Sequence, residues 1–355
     1  MSVDLPRPIG VAVRHRLAIG ILAGLVAGVL EYLYLSHVST TVAAFDFTWA
    51  WRGGQALLRG QNPYIVIRPI GAFPYNSAFK YPLPVAVFGI PFAHLSPHIA
   101  GAAFGAFSVA LFAFALTRDG YWRLPALVSA PALVTLAFAQ WSFLLTTAAI
   151  VPALSWLACL KPTTGLASFA YRPRVSAVIG GAVAYLGCML LVPNWPRLWV
   201  ESMLHDPSTH WYVPAVAIAG GPLLLLAILK WRTPEARLLL VLALVPQVQA
   251  FYSGLVAQLV ARSFRESAWL AIISCVGYVA WAQFDWSVPD AALQDPVHHA
   301  PWLLMSVYLP ALVVILRRPN EGRIPARLER AISRWPMFLR GTSGALDAAV
   351  ADNVQ

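Results

Sequence analysis

A polytopic, all-α bundle of transmembrane helices is the fold class that this sequence predicts, and three observations predict it. Of the 355 residues, 59% are hydrophobic and only 11% are charged, against about 25% charged in soluble domains. The apolar residues come in runs of roughly 17 to 22, the length that crosses about 30 Å of hydrocarbon as helix, whereas a barrel needs alternating segments of about ten. The lysines and arginines gather at the ends of these runs and in the tail. Within a bilayer every backbone polar group must be bonded internally, so long apolar runs read as helices.

In order along the chain, helices are expected at residues 17–36, 81–96, 98–117, 123–139, 141–160, 175–193, 213–229, 236–262, 266–283 and 301–317. These make about ten membrane segments in one domain over residues 1–317, with a basic cytoplasmic tail at 318–355. The first run follows Arg7, Arg14 and Arg16. It is long for the apolar part of a signal peptide and has no small-residue cleavage site before Thr40, so it reads as a retained helix with a cytoplasmic N-terminus.

Charge orients the loops. Those holding Arg118 and Arg123, Lys161 with Arg172 and Arg174, Lys230 with Arg232 and Arg237, and Arg262 with Arg265 read as cytoplasmic, as does the tail. Residues 285–299 hold three acids and no Lys or Arg, and residues 194–212 are aromatic with mixed charge; both read as extracytoplasmic. The count closes if 81–97, with Pro82, Pro84, Pro91 and Pro97, dips in and returns on one side, and if 237–262 is a hairpin broken near Pro246. It also closes if the charge rule fails at one or two loops.

The net charge of +10 follows from this topology and from anionic headgroups, and no aromatic-interleaved basic patch points to nucleic acid. Cys159, Cys188 and Cys275 lack the CxxC spacing of a metal knuckle or an even count for disulfides, and read as packing residues. His298 and His299 are adjacent and cannot by themselves make a metal site. No metal or cofactor is indicated.

The polar loop after the first helix carries the chemistry. Within residues 38–80, expected on the outer side, Asp46 is the one acid, and Arg52, Arg59, Arg68 and Lys80 share the loop with it. Helical spacing predicts an amphipathic surface helix over 47–59, with Trp49, Ala50, Gly53, Ala56 and Leu57 toward the bundle. Asp46 would cap its start, and Gly60 would end it in a left-handed conformation.

An acid after helix one, then Leu57-Leu58, Gly60 and Pro63-Tyr64, then an aromatic stretch into Tyr81-Pro82, resembles the polyprenyl-phosphate-dependent glycosyltransferases of the GT-C superfamily, specifically glycosyltransferase family 87. Ala139-Gln140 resembles that family's Gly-Gln step, and Leu160-Lys161-Pro162 its Lys-Pro pair; the likeness spans roughly residues 40–170. It implies a multi-pass protein of the bacterial inner membrane. That protein would move a hexose or pentose, mannose favoured, from a polyprenyl-phosphate donor to a glycolipid or polysaccharide acceptor on the extracytoplasmic face, with inversion. Family members carry a His late in the chain beside a Ser-Pro step. Here the step is Val245-Pro246-Gln247-Val248-Gln249 without a His, so the donor phosphate would rest on Arg or Lys from the first loop.

The chemistry fits that likeness. Sugar transfer needs a base to take the acceptor's proton, the role given to Asp46, and cations or hydrogen-bond donors for the leaving phosphate. Arg52, Arg59, Lys80, Gln247 and Gln249 are the phosphate candidates, and Trp49, Tyr64, Tyr81, Gln140 and Lys161 the substrate candidates. Plainer roles stand beside these. Asp46 caps a helix, the arginines are solvated, Trp49 anchors at an interface, Tyr64 packs a turn, and Lys161 snorkels from a helix end. A lipid-glycan transporter or a non-enzymatic homologue with only a binding cavity is the alternative function. No hydropathy repeat supports a transporter, and Glu31 is nearly the sole ionisable residue within a span.

Overall fold

A computed structural model describes residues 11–38, 44–71, 74–206, 211–284 and 296–322. Among the described residues the structure is mostly helical, 74% helix and 2% strand. Its helices are α1 (Val13–Val38), α2 (Phe47–Leu58), α3 (Pro63–Val66), α4 (Leu83–Gly89), α5 (Pro97–Leu116), α6 (Ala130–Ala137), α7 (Ser142–Ile150), α8 (Pro162–Tyr171), α9 (Val175–Met189), α10 (Trp195–Leu204), α11 (Pro234–Leu244), α12 (Phe264–Phe284), α13 (Pro296–Leu303) and α14 (Leu309–Leu316). Stretches of 3-10 helix run over Pro152–Leu160, Gly221–Lys230 and Phe251–Val260. Strands β1 (Tyr212–Val213) and β2 (Gln247–Val248) pair antiparallel, Tyr212 opposite Val248.

Among the described residues, two helices are long and apolar enough to cross a membrane, Val13–His37 and Pro97–Leu116. They are α1 and α5, and small residues pack them together. A Cβ at Gly20 would lie 2.9 Å from Ala110 O, one at Gly24 would lie 2.6 Å from Ala106 O, and one at Gly28 would lie 2.9 Å from Ala106 Cβ. Glycines four apart on α1 thus face alanines four apart on α5, which lets the two backbones approach as in small-xxx-small helix pairs. Arg16 closes the far end by donating to Phe114 O at 3.0 Å.

Most of the other expected spans are interrupted. Residues 141–160, expected as one helix, split at Val151-Pro152. Proline lacks the N–H of a helix interior and holds the residue before it extended, as Val151 is at ψ 114°. The 3-10 stretch after it packs back along α7, so Lys161 returns to the level of Gln140 on the Asp46 side, which overturns its expected place with Arg172 and Arg174 in one cytoplasmic loop. The expected break near Pro246 is present: α11 ends at Leu244, Val245 is extended, and β2 follows. Residues 213–229 and 301–317 also break, the first at Gly220 (φ 83°) and the second through a π-helical turn over Leu304–Tyr308. Ser129, extended at ψ 151°, divides 123–139. Between residues 81 and 96 only α4 and the 3-10 turn Ile90–Phe92 are helical. Helices α8 and α10 stand where the sequence reads as loop; each begins with proline in its first turn.

The α2 segment follows the sequence reading closely. It buries Trp49, Ala50, Gly53 and Ala56, along with Phe47, Thr48 and Gly54, while Leu57 is half-buried. Gly60 (φ 68°) ends it, with Gln61 N–H donating to Ala56 O and Gly60 N–H to Leu57 O, the two bonds of a Schellman motif. The expected cap by Asp46 is not made. Asp46 itself has helical dihedrals (φ −65°, ψ −21°) and no side-chain cap bond, because a capping side chain folds back only from an extended backbone. Instead Thr48 Oγ1 accepts from Ala44 N–H at 2.9 Å. The expected cytoplasmic tail falls, from residue 323 on, outside the described residues, as do residues 285–295 of the expected acidic loop.

The α1–α5 contact is tested by replacing Gly24 with Val, which has no room beside Ala106 O. Overpacking of this kind costs about 3 kcal/mol, so the melting temperature of the purified protein should fall clearly. Gly187→Ala on α9 meets no atom within 4 Å and should raise stability by about 0.5 kcal/mol. Equal effects of the two substitutions would refute the contact.

Candidate functional site

Two strained corners form the floor of the site. Phe45, just before α2, has φ 42°, and Ala139, just after α6, has φ 46°. Few residues other than glycine occupy this region, and holding one there costs about 1 kcal/mol. Asp46 N–H donates to Phe138 O at 3.2 Å, so the two corners are bonded to each other. The Phe45 and Phe138 rings pack at 5.5 Å. Ala139 terminates α6 by the same motif that Gly60 uses on α2: Gln140 N–H donates to Thr135 O and Ala139 N–H to Leu136 O, both at 2.9 Å. The corner turns Gln140 inward, where it is fully buried.

Lys161 meets this floor from the returning 3-10 stretch. Its Nζ donates to Gln140 Oε1 at 3.2 Å and lies 5.3 Å from the centre of the Tyr252 ring. The Tyr252 hydroxyl also lies within electrostatic reach of Gln140 and Asp46. Burial raises the Asp46 carboxyl to a pKa of about 6, and the positive charges of Lys161 and Lys80 partly offset the rise. Burial lowers Lys161 to about 8, with Asp46 acting against the shift and Lys80 with it. Asp46 and Lys161 each keep a small exposed fraction. The two groups therefore sit deep enough to be perturbed.

The opposite wall comes from residues 79–81 and α10. Trp199 Nε1 donates to Lys80 O at 3.1 Å and Ser202 Oγ to Phe79 O at 2.7 Å, so α10 clamps this strip. Lys80 Nζ pairs with Asp206 at 2.9 Å and lies 5.2 Å from the centre of the Trp49 ring. Tyr81 packs against Trp49 with ring centres 6.3 Å apart. Both Tyr81 and Tyr212 lie within electrostatic reach of Asp46 and Asp206. Two carboxylates, two ammonium groups and three tyrosines thus share one polar region.

The sequence candidates divide accordingly. Asp46, Trp49, Lys80, Tyr81, Gln140 and Lys161 come together. Arg52 lies elsewhere on α2, over the Tyr75 ring at 5.2 Å. Arg59 is exposed beyond the other end of that helix, roughly 20 Å from Asp46 at 1.5 Å per residue. Tyr64 is buried and donates its hydroxyl to Tyr81 O at 2.7 Å, so it shapes the wall. Gln247 accepts from Thr164 Oγ1 at 3.2 Å and donates to Leu242 O; Gln249 donates to Val213 O at 2.7 Å and accepts from Tyr308. The amides of these two glutamines are bonded within the protein at both ends. His205 is exposed and bonded to Glu201 O, while His210 and the side chains of His298 and His299 lie outside the described residues.

Asp206, Tyr212 and Tyr252 join the site without having been candidates. Asp206 sits in the stretch read as an outer aromatic loop, and its place there was the available signal. Tyr252 follows the Pro246 break by six residues, and no local pattern distinguishes it there from a packing aromatic.

Because Ala139 occupies a position suited to glycine, Ala139→Gly should keep the fold and raise stability by up to about 1 kcal/mol, and Ala139→Val should lower it. Denaturant unfolding of the three proteins measures this, and equal stability for Gly and Val would show that no strain resides there. Comparison with protein families, with curated proteins and with solved structures yields no match for this chain.

Proposed function

We propose that the chain is a polytopic membrane glycosyltransferase of the GT-C kind, similar to glycosyltransferase family 87. It moves a hexose or pentose, mannose favoured, from a polyprenyl-phosphate donor to a glycan or glycolipid acceptor at the extracytoplasmic face of a bacterial inner membrane. The observation that carries the reading is the gathering of Asp46, Lys161 and Lys80 within electrostatic reach of one another, with the Asp46 carboxyl raised by burial.

The membrane setting is supported by what the outer surface exposes. Leu17, Ile21 and Leu25 on α1, Val178, Val183 and Leu186 on α9, and Ile272, Val276 and Val279 on α12 all face outward. Soluble monomers rarely carry apolar patches on this scale. About ten membrane segments then require several of the broken helices to lie at membrane depth as hairpins covered by their neighbours, a use of irregular backbone that bilayers tolerate only inside protein. A lipid donor stays in the bilayer, held by about 0.8 kcal/mol for each buried methylene. Its phosphate therefore waits at the headgroup plane beside the loop after α1.

In the reaction, Asp46 takes the proton of the acceptor hydroxyl as that oxygen bonds to the anomeric carbon. The bond from that carbon to the phosphate oxygen breaks, and the configuration inverts. Lys161 and Lys80 balance charge on the departing polyprenyl phosphate, as cations do at transferring phosphates. Gln140 orients Lys161, and Trp49 and Tyr81 offer ring faces to the sugar. The left-handed backbone at Ala139 is also the place where the resembled family has its Gly-Gln step, and glycine suits that conformation best.

Asp46→Asn removes the base while keeping the side chain's shape. Transfer from a radiolabelled polyprenyl-phosphate sugar in membranes should fall by about 10²- to 10⁴-fold with expression and melting unchanged. Near-normal turnover in this variant would refute Asp46 as the base. A wild type inactive with every donor would favour the transporter or binding-only alternative.

The pH profile of kcat/KM should be bell-shaped. The base works as carboxylate, so the rate rises as pH passes about 6; Lys161 works as ammonium, so the rate falls as pH passes about 8. Lys161→Arg keeps its charge at all accessible pH and should remove the falling limb alone. A falling limb unchanged in that variant would exclude Lys161.

A further inference from the structure

At the end of α1 and α5 away from Asp46, guanidinium groups converge. Arg118 Nη1 donates to Ile150 O, the last carbonyl of α7, at 2.9 Å; Arg174 Nη2 donates to the same oxygen at 3.3 Å, and its Nη1 to Ala148 O at 3.5 Å. Arg16 donates to Phe114 O, four residues before Arg118. Arg172 lies over the Tyr171 ring at 5.3 Å. Arg123 lies 4.2 Å from the centre of the Trp122 ring and donates to the Tyr171 hydroxyl at 3.3 Å. Among the described residues one carboxylate pairs with the group: Asp119 lies 4.0 Å from Arg118 and 3.9 Å from Arg123.

Helix C-termini favour cations, and that accounts for one guanidinium on α7. It does not account for two sharing a single oxygen, since like charges this close repel. Burial, then the nearby Arg172 and Arg118, hold the Arg174 pKa below its usual value. Five arginines against one acid leave an excess of positive charge in a partly buried setting, and an anion would relieve it.

The surroundings say which anion. Val13 and Leu17 flank Arg16 on α1, and Val175, Val178 and Ile179 follow Arg174 on α9; all are exposed, and so is Tyr121 beside Trp122. Cations at a rim of exposed aliphatic and aromatic side chains match a headgroup with acyl chains attached, whereas a free phosphate ion gains nothing from the apolar rim.

We propose that Arg118, Arg174 and Arg172, with Arg16 and Arg123 at the edges, bind the phosphodiester headgroup of an anionic phospholipid whose chains lie along the apolar face of α9. The proposal rests on the membrane reading above and is independent of the transfer chemistry, so loss of activity in Asp46→Asn has no bearing on it.

The test is native mass spectrometry of the full chain in detergent, titrated with phosphatidylglycerol or phosphatidylcholine. The wild type should retain phosphatidylglycerol preferentially. The preference should drop about fivefold for each arginine removed, so that Arg118→Gln/Arg174→Gln approaches the phosphatidylcholine level. Because those two residues also cap α7, Arg172→Gln serves as the second variant: it leaves both bonds to Ile150 in place and should still weaken phosphatidylglycerol. Equal retention of the two lipids by the wild type would overturn the proposal, as would a preference unchanged in Arg172→Gln and the double variant. Displacement of the lipid by millimolar inorganic phosphate would also overturn it, in favour of a free-phosphate site.

Discussion

One backbone hydrogen bond, from Asp46 N–H to Phe138 O, fixes the relation on which the polar site depends. It ties the corner entering α2 to the corner leaving α6, and each corner holds a non-glycine residue at positive φ. Without it Asp46 has no fixed position relative to Gln140, and Lys161, which reaches Gln140 from a third segment, has no partner arrangement to complete. Strained backbone persists only where its surroundings over-determine it. Here the packed Phe45 and Phe138 rings, the turn that ends α6 and this bond do so together. The strain coincides with the perturbed Asp46 and Lys161 groups, which makes this region the candidate site.

Small residues supply the second constraint. A Cβ at Gly54 would lie 2.5 Å from Gly89 C, so α2 rests almost backbone to backbone on α4. That approach draws Trp49 toward Tyr81 and carries the Lys80 strip against the site. The α1–α5 stripe uses the same device over a longer contact. Between these two tight seams the aromatic cluster of Phe47, Phe104 and Trp141 fills the interior, with Phe47 stacked on Phe104 at 4.1 Å. Close packing of this kind gives the polar side chains a rigid frame.

What the sequence made legible follows from periodicity and from turn chemistry. α1, α5 and α12 are long uninterrupted apolar runs, and α2 has a helical stripe of small residues ended by glycine, so their limits can be read within a few residues. Runs such as 141–160 and 213–229 look equally apolar, yet proline or a left-handed glycine breaks them, and composition averages over such single residues. α8 and α10 escaped because ten-residue helices with mixed polarity carry little signal. In the site, Asp46, Gln140 and Lys161 were marked by motif spacing, and Lys80 by sharing the first polar loop with Asp46. Asp206 and Tyr252 were not, since their contribution comes from long-range contacts such as the pairing of β1 with β2, to which no local pattern points. The helix cap assigned to Asp46 failed for a related reason: residue type permits a cap, but the dihedral set by the preceding strained residue forbids it.

The four charges of the site have a further consequence. Asp46, Asp206, Lys80 and Lys161 sum to zero when all are ionised. In the proposed transfer a phosphodiester donor would bring one negative charge, and the sum of site and donor would be unchanged if the acceptor's proton remained on Asp46 while the phosphate left with two. The two lysines then face a dianion with one of their opposing carboxylates neutralised, so the product is held more tightly than the donor was. Loss of the proton from Asp46 restores the repulsion between carboxylate and phosphate. Under the transfer proposed above, release of the lipid would be timed by deprotonation, and the pKa that serves the base would also set the moment of departure.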